Sequence, residues 1–206
     1  MYQKTITPEE IELMELAAFP GPISVITAPG AELDHAVEHL SNQRFIGFDT
    51  ETKPVFQAHQ PRHHTALLQL SSETEAFLFR LQELGLPQAI ADILSSPYIT
   101  KIGAAVGEDI HGLQHYCSFE PHRFMDLQSY AGQYGIEEKS VRKMAAIILG
   151  CKVSKAQQCS NWEAEPLSDA QLLYAATDAW ICVQLYRKLL GSPFVKLEHL
   201  PGDPVF

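Results

Sequence analysis

The 206-residue chain has only four cysteines, Cys117, Cys151, Cys159 and Cys182, and no two of them form a C-x-x-C pair. That absence speaks against a zinc–thiolate site and against a disulfide framework. Long apolar runs are missing as well. The longest, such as Met144 to Leu149, fall far short of the roughly 20 residues that a spanning helix needs, so no membrane partner is expected. Met1 to Thr5 contains no cationic segment followed by an apolar stretch; without a visible secretory signal, the expected residence is cytoplasmic. Basic residues are scarce: 15 Lys and Arg stand against 25 Asp and Glu, a formal net charge of −10. This argues against sequence-blind coating of nucleic acid through many phosphate contacts. It leaves room for an enzyme that grips a few phosphates through metal ions.

What remains is a soluble globular composition, 46% hydrophobic and 19% charged, long enough for one domain with a substantial core. Thr7-Pro8-Glu9-Glu10 reads as a capped helix start, predicting a helix to about Ala18 that Pro20-Gly21-Pro22 ends. A short strand over Ile23 to Ile26 and an amphipathic helix over Ala31 to Leu40 follow. Phe45 to Thr52, Ala66 to Leu70 and Ala76 to Phe79 have the spacing of an antiparallel meander. Between the first two lies Lys53 to His64, with His59, His63 and His64 and no regular ligand spacing, which reads as a mobile surface loop.

Pro87 to Leu94 reads as helix and Tyr98 to Ile102 as strand. Gly103-Ala104-Ala105-Val106-Gly107 reads as close backbone packing that lets a helix enter over Glu108 to Tyr116. From Phe124 onward strands fade: Met125 to Tyr134 and Val141 to Leu149 have helical spacing. A last helix starts at Ser168, with Gln171 completing a second capping box, and runs to about Leu190, where Gly191 closes it. The expected architecture is a single α/β or α+β domain with a mixed sheet.

Four acids carry the chemical interest. Asp49 and Glu51 sit at i and i+2 of a strand and share a face. Like charges held that close are most easily tolerated with a cation between them, and an all-oxygen site suits Mg²⁺ or Mn²⁺. A lone D-x-E also fits an ordinary strand end with solvated acids. Asp109 stands in the first turn of a helix, where it either favours the helix dipole or aims at a site. Tyr174 and Asp178 lie four apart on one helix face. An acid in so apolar a helix needs a partner, either a metal ion or an Arg or Lys.

Taken together, FDTET (Phe48 to Thr52), KIGAAVGEDIHGL (Lys101 to Leu113) and SNWEAEPLSDAQLLYAATDAW (Ser160 to Trp180) resemble the DEDDy 3′–5′ exonucleases. The likeness is to the RNase D and Werner-type exonuclease branch, and it covers nearly all of the chain after about residue 20. It implies an RNase H-like fold, a mixed β-sheet flanked by α-helices. The implied layout is an N-terminal helical extension over 1–20, an exonuclease domain over 21–196 and a tail over 197–206. It further implies two divalent metal ions, Mg²⁺ or Mn²⁺. Asp49, Glu51 and Asp178 would hold the first ion, and Asp49 would bridge to a second reached by Asp109. Tyr174 would orient the attacking water.

The implied substrate is a single-stranded or frayed 3′ end of DNA or RNA, shortened to nucleoside monophosphates. A non-catalytic nucleic-acid-binding module on the same fold and a small-nucleotide phosphoesterase are the alternatives. Thr50 and Thr52 are candidates for contact with the terminal nucleotide, or else satisfy the strand end. Trp162 is expected to pack rather than to stack on a base. Lys101, Arg142, Lys143, Lys152 and Lys155 are expected to be mostly solvated surface. Asp126 is expected to serve a helix N-terminus.

Overall fold

The computed structural model describes residues 1–56 and 61–193; His59 and the 197–206 tail lie outside the described residues. Its centre is a six-stranded mixed sheet of β1 (Ile23–Ile26), β2 (Phe45–Thr52), β3 (Thr65–Ser71), β4 (Ala76–Arg80), β5 (Thr100–Gly103) and β6 (Phe124–Asp126), in the order β1-β4-β3-β2-β5-β6. The meander is real: β2 pairs antiparallel with β3, and β3 with β4. β1 joins β4 in parallel, and β5 and β6 extend the other side in parallel.

Strand alternation decides what each face holds. Ile46 and Phe48 of β2, Leu68 and Leu70 of β3, and Phe77 and Phe79 of β4 all point to one face. There they meet Leu33, Ala36 and Leu40 of α2 (Ala31–Ser41) and Ile90, Ala91 and Leu94 of α4 (Gln88–Ser95). Each Leu, Ile or Phe among them taken wholly out of water contributes about 1.5–3 kcal/mol. On the opposite face, α6 (Leu127–Gly132), α7 (Val141–Leu149) and α8 (Asp169–Leu190) form a second apolar cluster with Ile102.

The 22-residue α8 organises that second face. Ser168 accepts from the backbone N–H of Gln171, and the Gln171 side chain accepts from the backbone N–H of Ser168. This reciprocal cap fixes where the helix starts. Its line across the sheet is fixed by Gly47, where an added Cβ would lie 1.8 Å from the Ala179 carbonyl oxygen. Only a residue without a Cβ lets the helix backbone come that close. Gly103 plays the same part for α5 (Val106–Gln114): its Cβ would sit 2.7 Å from the Phe48 carbonyl and from Val106 Cγ1.

Local patterning misplaces three segments. α1 covers only Pro8–Glu12, although its capping box forms as expected. Beyond Leu13 the backbone pairs instead with Lys152: Lys152 N–H donates to the Glu15 carbonyl at 2.9 Å, and Ala17 N–H to the Lys152 carbonyl at 2.8 Å. Strands do not fade at Phe124. Phe124–Asp126 is the edge strand β6, formed by parallel pairing to β5. The helix expected from Met125 therefore begins only at Leu127, where Asp126 caps it by accepting from the Gln128 N–H. A one-turn helix, α3 (Leu81–Leu84), had no local signal. Among the described residues no helix is long and apolar enough to cross a membrane.

Candidate active site

β2 outruns its parallel neighbour. β5 pairs only with Phe45 to Gly47, whereas β3 follows β2 as far as Thr52. The exposed end of β2 turns Asp49 and Glu51 toward α8, on the Gly47 face, and α8 answers with Asp178, the residue beside Ala179. One carboxylate oxygen from each of Asp49, Glu51 and Asp178 lies within 4.8 Å of the other two. Sequence spacing paired Asp49 with Glu51; the Gly47–Ala179 approach brings in Asp178.

All three are partly buried, and their environment disfavours charge. Burial pushes the Asp49 carboxyl well above the usual carboxylate range, with Asp178 and Asp109 adding repulsion and the Thr50 N–H opposing it. Glu51 is pushed up to about 10, by burial first and then by Asp49, Asp178 and Asp109. Asp178 rises to about 7 through burial, held back by a hydrogen bond from the Tyr174 hydroxyl. Among the described residues, no Lys, Arg or His forms an ion pair with any of the three. Crowded buried carboxylates without a cation of their own are a ligand set for a hard divalent ion.

Asp109 stands outside this tight group. It reaches from the first turn of α5, and its Oδ1 accepts from Thr50 Oγ1 at 2.5 Å. Burial raises its pKa, and the Thr50 hydroxyl partly offsets that. Thr50 therefore satisfies an acid of the site, while Thr52 is exposed. Both threonines and Asp109 line an open cleft of about 930 Å³ that also takes in Arg62, His63 and His64. The histidines of the 53–64 loop that are described thus lie beside the site. His63 and Lys53 both ion-pair with Glu163 at 2.8 Å, and His64 stacks on His115 with centroids 4.1 Å apart.

Tyr174 projects from the same helix face as Asp178, one turn earlier. Burial and the Asp178 and Glu51 carboxylates raise its pKa, so its hydroxyl keeps its proton. Behind it Trp162 is wholly buried, its ring 5.9 Å from the tyrosine ring, so the tryptophan packs against α8 as expected. Lys101 is not solvated surface: it is wholly buried and donates to the Ser96 and Ile99 carbonyls at 3.0 and 2.9 Å. Arg142 and Lys152 pair with Glu12, and Lys143 with Glu138. Lys155 is exposed.

Sequence reading passed over Gln69. It is the direct partner of Asp49 in the β2–β3 ladder, so the two side chains share a face. Gln69 is wholly buried, and neither polar atom of its side chain has a hydrogen-bond partner among the described residues. The signal was the register: an amide in an otherwise apolar central strand, directly across from a site acid.

The family model for the 3′–5′ exonuclease domain matches residues 25–191. The chain belongs to that family. It is 29% identical over 197 residues to the mouse bifunctional 3′–5′ exonuclease/ATP-dependent helicase WRN, covering 91% of this chain and 14% of that protein. It is 28% identical over 176 residues to Ribonuclease D of Gluconacetobacter diazotrophicus, covering 84% of this chain and 44% of that one. The chain thus spans less than half the length of either relative. Among solved structures, Escherichia coli RNase D superposes with a TM-score of 0.72 at 25% identity, over 82% of this chain and 44% of that chain. Trypanosoma brucei RNase D in complex with RNA U12 also gives 0.72, at 24% identity, over 84% and 64%. The mixed sheet with flanking helices is accordingly the RNase H-like fold of this exonuclease domain.

Proposed function

We infer that this domain is a DEDDy-type, metal-dependent 3′–5′ exonuclease that releases nucleoside monophosphates from a single-stranded or frayed nucleic-acid end. Family membership supports the reaction class. The observation that carries the reading is the convergence of Asp49, Glu51 and Asp178 within 4.8 Å, without a Lys, Arg or His paired to them among the described residues. The donor set is all carboxylate oxygen, which fits Mg²⁺ or Mn²⁺ and not a soft metal. Asp49, Glu51 and Asp178 would hold one ion, and Asp49 with Asp109 a second. Such ions supply charge neutralisation at the phosphodiester and make an attacking hydroxide available near neutral pH.

The protein's own groups do the positioning. The Tyr174 hydroxyl, kept protonated, orients water as a hydrogen-bond partner and is not a base. Thr50 fixes the direction of Asp109. Thr52, on the exposed strand end, and the adjoining cleft give the terminal nucleotide a place beside the acids. Phosphoryl chemistry of this kind depends on positioning and charge stabilisation more than on a covalent nucleophile.

A 5′-labelled oligonucleotide tests this. With Mg²⁺ or Mn²⁺ the full chain should shorten it stepwise from the 3′ end to give a ladder, and EDTA should stop the reaction. Asp49→Ala or Asp178→Ala should leave the substrate whole. Undiminished cleavage in either variant overturns the assignment. Intact oligonucleotide with every metal, in a protein that still binds it, favours a non-catalytic binding module.

A further inference from the structure

A second group of ligand-type side chains lies away from the acids. His35 and His39 occupy i and i+4 on α2, so both rings stand on one helix face. Glu75 reaches them from the turn between β3 and β4. His35 Nε2 is 2.8 Å from Glu75 Oε2, and His39 Nδ1 is 3.2 Å from Glu75 Oε1. One donor atom from each of the three lies within 4.8 Å of the other two. Both imidazoles rest on the Phe77 ring, with centroids 5.7 and 5.5 Å away. Phe77 belongs to the α2 face of the sheet, so this cluster and the Asp49 group lie on opposite faces.

We propose that His35, His39 and Glu75 form a binding site for a transition-metal ion, zinc by the chemistry of its ligands. Two imidazoles and one carboxylate are a borderline nitrogen–oxygen set that suits Zn²⁺ and is poorly matched to Mg²⁺. Water completes a four-coordinate site on the open side, where His35 is exposed. The supporting contacts are those a metal-bound histidine needs. The second ring nitrogen of His39, Nε2, lies 2.9 Å from Ser72 Oγ, which fixes the ring so that Nδ1 faces Glu75. Ser72 is itself held by the Thr74 and Glu75 N–H groups at 3.1 and 3.0 Å. The apolar Phe77 floor excludes water from one side. Bound metal would clasp α2 to the β3–β4 turn, adding to the hydrogen bonds that join His35 and His39 to Glu75 and His39 to Ser72.

Cobalt(II) is the probe, because it takes zinc's place and absorbs strongly in the visible when four-coordinate and tetrahedral; the six-coordinate geometry of a Mg²⁺-type carboxylate site gives a weak spectrum. Titrated into the full chain, Co²⁺ should develop the intense band, and Zn²⁺ should abolish it. The Asp178→Asn variant should give the same band, which separates this site from the nuclease acids. His35→Gln should lose the band. It should also bind Zn²⁺ more weakly by more than the roughly 10–100-fold that loss of a supporting contact costs. Its circular dichroism and its oligonucleotide hydrolysis should be unchanged. Zn²⁺ should raise the melting temperature of the wild type and not of His35→Gln. A wild type without the band, or a band kept by His35→Gln or lost in Asp178→Asn, overturns the proposal and leaves the cluster a hydrogen-bonded clasp only.

Discussion

The two faces of the central sheet are cut from the same strands and do opposite work. On the α2 face every residue that β2 contributes to the core, Ile46 and Phe48, is apolar and wholly buried. On the α8 face the intervening positions are Gly47 and Asp49, and directly across lies the Gln69 amide, which has no hydrogen-bond partner among the described residues. Along β2 one face carries only core side chains, while the end of the other face holds carboxylates that burial makes reluctant to ionise. The period of two along β2 lets a single strand serve both ends, since a change on one face leaves the other face's side chains in place.

The comparison can be broken in graded steps. Phe48→Ala should cost about 3–5 kcal/mol of stability through the cavity it leaves, read as a lower denaturation midpoint. Asp49→Asn should do the reverse, keeping or raising the melting temperature in EDTA. Hydrolysis by that variant should fall on the order of 10³-fold, the several kcal/mol of charge stabilisation that a metal provides. Equal losses of stability in the two variants would erase the distinction between the faces. Tyr174→Phe should lower turnover on the order of 10²-fold while Mn²⁺ affinity holds; unchanged turnover would make the hydroxyl a spectator.

Gly47→Ala sharpens the claim that packing sets the site. The new methyl would meet the Ala179 carbonyl, so α8 must shift, at a cost of about 1–3 kcal/mol. Activity should drop although no acid has been touched. A variant that keeps full activity would show that Asp178 does not depend on this close approach.

A last test concerns pH. In the folded protein Asp178 and Glu51 hold protons up to about pH 7 and about pH 10, whereas the unfolded chain releases them in the ordinary carboxylate range, near 4. Unfolding therefore releases protons across that window, and stability falls as pH rises through it. Thermal melts in EDTA should show a lower melting temperature at pH 8.5 than at pH 6. Mg²⁺ or Mn²⁺ should narrow the gap, because it binds the deprotonated native acids. A flat profile in EDTA would mean that the acids are not desolvated as argued.

Much of this was legible in the chain because the signals are local. Apolar runs at meander spacing marked β2, β3 and β4, and reciprocal caps marked the starts of α1 and α8. The order of the three acidic motifs marked the family. The misses are non-local. β6 is three residues long and exists only because β5 lies beside it. α1 stops at Glu12, short of the pairing between residues 15–17 and Lys152, which are far off in sequence. Lys101 read as surface because a lysine's burial depends on carbonyls that only the folded turn supplies. At the site, Asp109 was legible as an acid at a helix start but not as one held by Thr50. Gln69 needed the β2–β3 register before it meant anything.

Calorimetric titration of Mn²⁺ into the wild type and into Asp49→Asn, each in two buffers of different ionisation enthalpy, tests the central claim most directly. The wild type should bind Mn²⁺ with a heat that depends on the buffer, because the ion displaces protons from the raised carboxyls, and Asp49→Asn should lose that binding. Uptake that is the same in both proteins, or that releases no protons near neutral pH, would contradict the account.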